Sequence, residues 1–267
     1  MTKRKSKRVL AVADFHCGHH AGLTPPRWQR KVGGDGHWER IANLQRETWA
    51  LFSGWIKELR PIDVLLHGGD CIEGKGERSG GTELITSDRE EQAEMAAEII
   101  RYINADKVIM VYGTPYHTGR LEDWEDVVAR HEDVKAEKIG SHEWIDVNGL
   151  IFDLKHFIGA SSIPHGRHTA IARARLWNLL WAEREAQPKA DVVLRAHVHY
   201  FDYCGDRRGV NIILPALQAA ATKFGARGCE GEVDFGLVYF DVTSREDWHW
   251  EERIETPASS IPAPVSV

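Results

Sequence analysis

Five short histidine and carboxylate clusters stand where apolar runs stop, and that placement constrains the fold more than any other feature of the chain. In order they are Asp14-Phe15-His16, Gly69-Asp70, Gly113-Thr114-Pro115-Tyr116-His117, His156 and His197-Val198-His199. The runs before them, residues 9–13, 63–66, 107–111, 150–154 and 191–194, are short and apolar or β-branched, as buried strands are. Open sheets gather ligands in the crevice beyond the carboxyl ends of their strands. Segments distant in sequence are therefore expected to converge there as a metal centre.

Between the clusters the pattern alternates. Residues 37–60 carry apolar side chains at near-helical spacing up to Pro61, and residues 88–104 predict a second helix. Residues 17–36 and 73–82 are glycine-rich and read as loops. Asn148-Gly149, between residues 143–147 and 150–156, is a strong hairpin signal. A helix is expected over 168–186, with further strands over 192–194, 200–203, 210–214 and 235–242. Alternating strand and helix predicts an α/β sheet. Trp49, Trp55, Trp177 and Trp181 fall within the predicted helices and are expected in the core.

With 267 residues, 42% apolar and 28% charged, the chain reads as one large globular domain. The expected division is a basic leader over 1–8, a folded domain over 9–255 and a flexible Pro/Ser-rich tail over 256–267. Five apolar residues after the leader are too few for an export signal, and no membrane span is evident, so a cytoplasmic location is expected. A net charge of −6 argues against a broad basic surface that coats nucleic acid, although Arg167, Arg173, Arg175, Arg207 and Arg208 form local basic stretches. Cys17, Cys71, Cys204 and Cys229 lack CxxC spacing and are expected as reduced thiols, the first two as small buried groups near the metals.

In this order the clusters resemble the calcineurin-like metallophosphoesterase family, whose signature runs D-x-H, G-D, G-N-H-D or E, a lone H, and G-H-x-H. The resemblance implies an α/β fold, a four-layer αββα sandwich of two mixed sheets. It also implies two divalent transition-metal ions, one held by Asp14, His16, Asp70 and His199, the other by Asp70 as a bridge with His156 and His197. Imidazole with carboxylate suits manganese, the first choice here, or iron, zinc or nickel. Two departures stand out: Ala196 replaces the last glycine, and the asparagine of G-N-H is absent from Gly113-Thr114-Pro115-Tyr116-His117. Either Thr114 stands near the asparagine position with His117 as the catalytic acid, or His117 itself binds the second metal.

The activity implied is hydrolysis of a phosphate ester, preferably a diester, by metal-bound hydroxide. A nuclease acting on DNA or RNA and a catalytically inactive binding scaffold are the alternatives. Arg167 and His168, with His19, His20 and His165, are candidate contacts to substrate phosphate. His37, His67, His131, His142 and His249 are assigned no role, and oligomeric state is not legible.

Overall fold

The computed structural model describes residues 6–261 other than 32, 34–35, 120–122, 162, 208 and 223–231. Most of the basic leader, Arg208, Cys229 and the last part of the tail therefore lie outside the described residues.

The first half is two successive strand–helix–strand units: β1 (Lys7–Val12), α1 (Gly36–Leu59), β2 (Ile62–His67), α2 (Arg89–Ile103) and β3 (Ala105–Val111). The three strands run parallel, as connections through helices require. Val9, Leu10, Leu65 and Leu66 are fully buried, which explains why these strands read as continuous apolar runs rather than alternating ones. Asp88 caps α2 by accepting the Glu90 N–H, and Asn104 ends it in the left-handed conformation. A single turn, α3 (Pro115–Thr118), and a short α4 (Trp124–Arg130) then lead to β4 (Lys138–Gly140).

The second half opens with the expected hairpin, β5 (Glu143–Val147) and β6 (Leu150–Leu154). Asn148 and Gly149 both have positive φ, 54° and 92°, as the tight hairpin turn demands. α5 (Arg167–Glu183) crosses to β7 (Val192–Arg195), and β8 (Asp202–Asp206), β9 (Gly209–Ile213), β10 (Phe235–Val242) and β11 (Trp248–Glu255) follow. None of the residues of β11 is buried, so it carries no apolar run that a sequence reading could detect.

The strands form a six-stranded sheet, ordered β11-β10-β1-β2-β3-β4, and a five-stranded sheet, ordered β5-β6-β7-β9-β8. Successive side chains of a strand face opposite ways, so β1 sends Val9 and Ala11 between the sheets and Leu10 and Val12 toward the helices. Three apolar cores result. One joins α1 and α2 to the six-stranded sheet, one lies between the sheets, and one joins α5 to the five-stranded sheet. The middle core is closed by Phe152 and Phe240, whose rings meet edge to face at 5.0 Å. This is the αββα sandwich.

One expectation needs correction. Trp55 lies in the core and Trp49 packs beside it, but Trp177 and Trp181 are 55% and 44% exposed. α5 buries only Ala170, Ile171 and Asn178, a stripe too narrow to take up its tryptophans. Near the end of the described residues, the Glu47 carboxylate accepts the N–H groups of Ala258 and Ser259, and Arg40 donates to the carbonyls of Ser259 and Ser260. Cys17 and Cys71 are buried free thiols, and Cys204 is a free thiol at intermediate burial. Among the described residues no helix is long and apolar enough to cross a membrane.

Candidate metal centre

The loops carrying the clusters stay laced together beyond the strands. Asp14 N–H donates to the Gly69 carbonyl at 2.9 Å, His16 N–H to that of Asp70 at 3.1 Å and Cys17 N–H to that of Cys71 at 3.0 Å. In the other sheet Ala196 N–H donates to the His156 carbonyl at 2.8 Å. His197 N–H reaches Asp14 Oδ2 at 3.3 Å and joins the two sheets. Five cluster residues also hold left-handed backbone: Asp14, His16, Asp70, His197 and His199, with φ between 46° and 79°. Such conformations cost about 1–3 kcal/mol each and persist where the surroundings over-determine them, commonly at functional sites.

Among the described residues four groups of ligand-type side chains lie together, and two of them are built wholly from the strand-end clusters: Asp14 with His16 and His199, and Asp70 with His156 and His197. In each, the candidate donor atoms lie within 4.8 Å of one another. In the first group the Nε2 atoms of His16 and His199 face each other at 3.2 Å, and Asp14 Oδ1 lies 3.8 and 3.4 Å from them. In the second, His156 Nε2 is 3.1 Å from Asp70 Oδ2. His156 Nδ1 donates to the Gly68 carbonyl at 2.7 Å; a carbonyl only accepts, so Nδ1 carries a proton, and Nε2 is the nitrogen turned toward Asp70. Asp14 Oδ1 and His156 Nε2 are buried without a hydrogen-bond partner. Buried polar atoms are rarely left so, and a divalent cation among these donors would satisfy both.

The electrostatics point the same way. Burial opposes charge on His16, yet the nearby carboxylates of Asp14 and Glu73 outweigh that and lift its pKa to about 10. Burial likewise opposes charge on His156, and Asp70 outweighs it to give about 9. Burial alone would raise the two aspartates, but the charge on His199 keeps Asp14, and that on His156 keeps Asp70, below the usual carboxylate range. A field that holds protons on two buried imidazoles also draws a cation, which displaces them when it binds.

Among solved structures, an archaeal phosphodiesterase is similar at 13% identity, covering 93% of this chain and 99% of its own, with a TM-score of 0.46. Vps29 from Entamoeba histolytica in complex with zinc is 14% identical over 92% of this chain and 98% of its own, with a TM-score of 0.42. Vacuolar protein sorting 29 from Cryptosporidium parvum is 10% identical over 94% and 98%, with a TM-score of 0.46. No family model and no curated protein matches the sequence. At this distance, function has to be argued from the geometry of the site.

Around the six clustered side chains stand residues that the sequence left unassigned. Glu73 is buried, and its Oε2 accepts from His16 Nδ1 at 2.8 Å. Carboxylate partners of this kind fix the tautomer and orientation of a ligating histidine, and their loss typically weakens metal binding 10–100-fold. Glu73→Gln is accordingly expected to lower manganese affinity by about 10–100-fold in a calorimetric titration; an unchanged affinity would rule out this support role. Glu73 also tethers His117, whose Nδ1 donates to the Glu73 carbonyl at 3.0 Å and whose ring lies edge-on to His16 at 4.5 Å. Burial, then the neighbouring His16, hold His117 below the usual histidine range. Thr114 sits on the other side, its N–H 2.7 Å from Asp70 Oδ1 and its hydroxyl 3.2 Å from both Asp70 oxygens.

The outer candidates are less central. Arg167 pairs with Glu232 at 3.0 Å and lies over the Tyr200 ring, and His168 pairs with Asp202 at 2.7 Å. His19 and His20 are buried. His19 Nδ1 accepts the Ala21 N–H, and burial pushes His20 down to about 4. His67 is fully buried, accepts the Gly69 N–H, and is driven by burial to about 3. It is a neutral structural imidazole.

Proposed function

We propose that this chain is a metal-dependent phosphoric ester hydrolase of the calcineurin-like metallophosphoesterase type, with phosphodiesters as preferred substrates. The observation that carries this is the pair of orphaned buried atoms, Asp14 Oδ1 and His156 Nε2, each within its own ligand group. Asp14, His16 and His199 would hold one ion, and His156 and His197 the other, with Asp70 shared. The nitrogen and oxygen donor set favours manganese, with iron, zinc or nickel as substitutes. When bound, two such ions neutralise phosphate charge and supply an ionised water near neutral pH.

The chain's own side chains do the rest. Thr114, through its N–H and hydroxyl, fixes the Asp70 carboxylate, which supports Thr114 rather than His117 at the position of the missing asparagine. His117, tethered through Nδ1, offers Nε2 to the leaving oxygen. Its ring has first to take up a proton, and a negatively charged phosphate alongside favours that. Arg167 and His168 would meet substrate phosphate by exchanging their present carboxylate partners for phosphate oxygens. A cytoplasmic setting fits the free thiols of Cys17 and Cys71.

The test is metal content by elemental analysis, followed by hydrolysis of bis-nitrophenyl phosphate, nitrophenyl phosphate and single-stranded DNA with added manganese. About two ions per chain and fastest turnover of the bis-ester are expected; neither metal uptake nor hydrolysis would overturn the proposal. His117→Ala is expected to slow alkyl esters by roughly 10²–10⁴-fold and nitrophenyl esters far less, since nitrophenolate needs no acid. Equal losses on both substrates would remove His117 from the acid role. One observation favours a second reading, a binding scaffold: Leu176, Trp177, Leu180 and Trp181 form an exposed apolar stripe on α5. Metal-dependent turnover decides against that reading.

A further inference from the structure

We infer that Glu125 is a positioning residue that clamps the loop after β2 to the loop after β3 and thereby sets the cation affinity of the Asp70 group. Glu125 lies in the first turn of α4 and is fully buried. Its Oε1 accepts the N–H of Cys71 at 2.9 Å and its Oε2 the N–H of Gly113 at 2.5 Å. Each donor is adjacent in sequence to a residue that fixes the site. Cys71 follows Asp70, and Gly113 precedes Thr114, whose N–H and hydroxyl hold the Asp70 carboxylate.

The β-ladder cannot supply this restraint. The pairing of β2 with β3 ends at His67 and Met110, so the loops leave the sheet before Asp70 and Gly113 are reached. They nevertheless pack closely, since a Cβ on Gly69 would stand 2.8 Å from Gly113 Cα. Two N–H donors converging from separate loops need two acceptor oxygens, which one carboxylate provides and one amide does not. Burial and the charge of Asp70 push Glu125 up to about 7, and the two N–H groups pull the other way.

The affinity part of this inference rests on the metal centre proposed above; the clamp itself does not. Two measurements on the full chain separate them: calorimetric titration with manganese, and amide hydrogen exchange, each on wild type and Glu125→Gln. The expected result is a loss of manganese affinity of about tenfold or more. The Cys71 and Gly113 amides should exchange at least about tenfold faster while amides of β1 and β10 keep wild-type protection. Unchanged affinity in the folded variant, or unaltered exchange at both amides, overturns the inference. A wild-type chain that takes up no manganese overturns the metal centre and the affinity effect together, and exchange at Cys71 and Gly113 then decides the clamp alone. If Glu125→Gln fails to fold, Glu125→Asp, which keeps both oxygens one methylene short, should show the same two effects at smaller amplitude. A merely structural role would instead accelerate exchange throughout both sheets.

Discussion

Asp70→Asn is expected to lower phosphodiester turnover by more than the roughly 100-fold upper limit typical of outer-shell changes, and to abolish uptake of at least one cation. Asp70 is almost fully buried, accepts from Thr114 N–H and Thr114 Oγ1, and has His156 Nε2 3.1 Å from its Oδ2. The charges around it keep its carboxyl below the usual range despite burial, so it is ionised throughout the neutral range. Asparagine keeps the volume but loses the charge, and its NH2 group must face either the Thr114 N–H, donor against donor, or the His156 nitrogen. The isosteric change leaves packing intact, so the melting temperature should move little while function collapses. Elemental analysis with turnover of bis-nitrophenyl phosphate checks this. A variant that loads metal and turns over like wild type would show that Asp70 does not stand between the ions.

Gly113→Ala is the second large effect. Here the cause is space rather than backbone conformation, since a Cβ at this position would fall onto Asp70 Oδ1 and the Asp70 backbone nitrogen. Neither neighbour can yield easily, because the Asp70 carboxylate is held by Thr114 and the Gly113 N–H by Glu125. Overpacking of this kind typically costs about 1–3 kcal/mol, which urea unfolding would register as a lower midpoint. The displaced carboxylate should also lower manganese affinity at least tenfold, in line with other changes that misplace ligands. A variant with wild-type midpoint and affinity would mean that the loops have room that the structure does not show.

Much of the candidate site was legible because its candidate ligand residues are strand-end residues, and strand ends announce themselves. Apolar runs stop where a chain leaves the sheet, and Asp14, Asp70, His156 and His197 stand at those stops. The supporting carboxylates were not legible. Glu73 lies in a glycine-rich loop where no periodicity assigns a direction, and its place just after the Gly69-Asp70 cluster was the one available signal. Glu125 follows Gly113 by a stretch with no apolar pattern and opens a helix of seven residues, too short to show a period. α5 misled for the opposite reason. Its Leu and Trp content looks like core, but it buries only Ala170, Ile171 and Asn178.

The amino-acid order alone determined which segments are strands, that they alternate with helices, and that six ligand-type side chains sit at their ends, because burial and local geometry write themselves into neighbouring residues. Only the tertiary structure decided how those ends group, that Thr114 donates to the Asp70 carboxylate, and that Glu73 and Glu125 accept hydrogen bonds from behind the arrangement. Those contacts join residues dozens of positions apart through single hydrogen bonds. Such bonds leave no repeating pattern along the chain, and they exist only once the two sheets have packed.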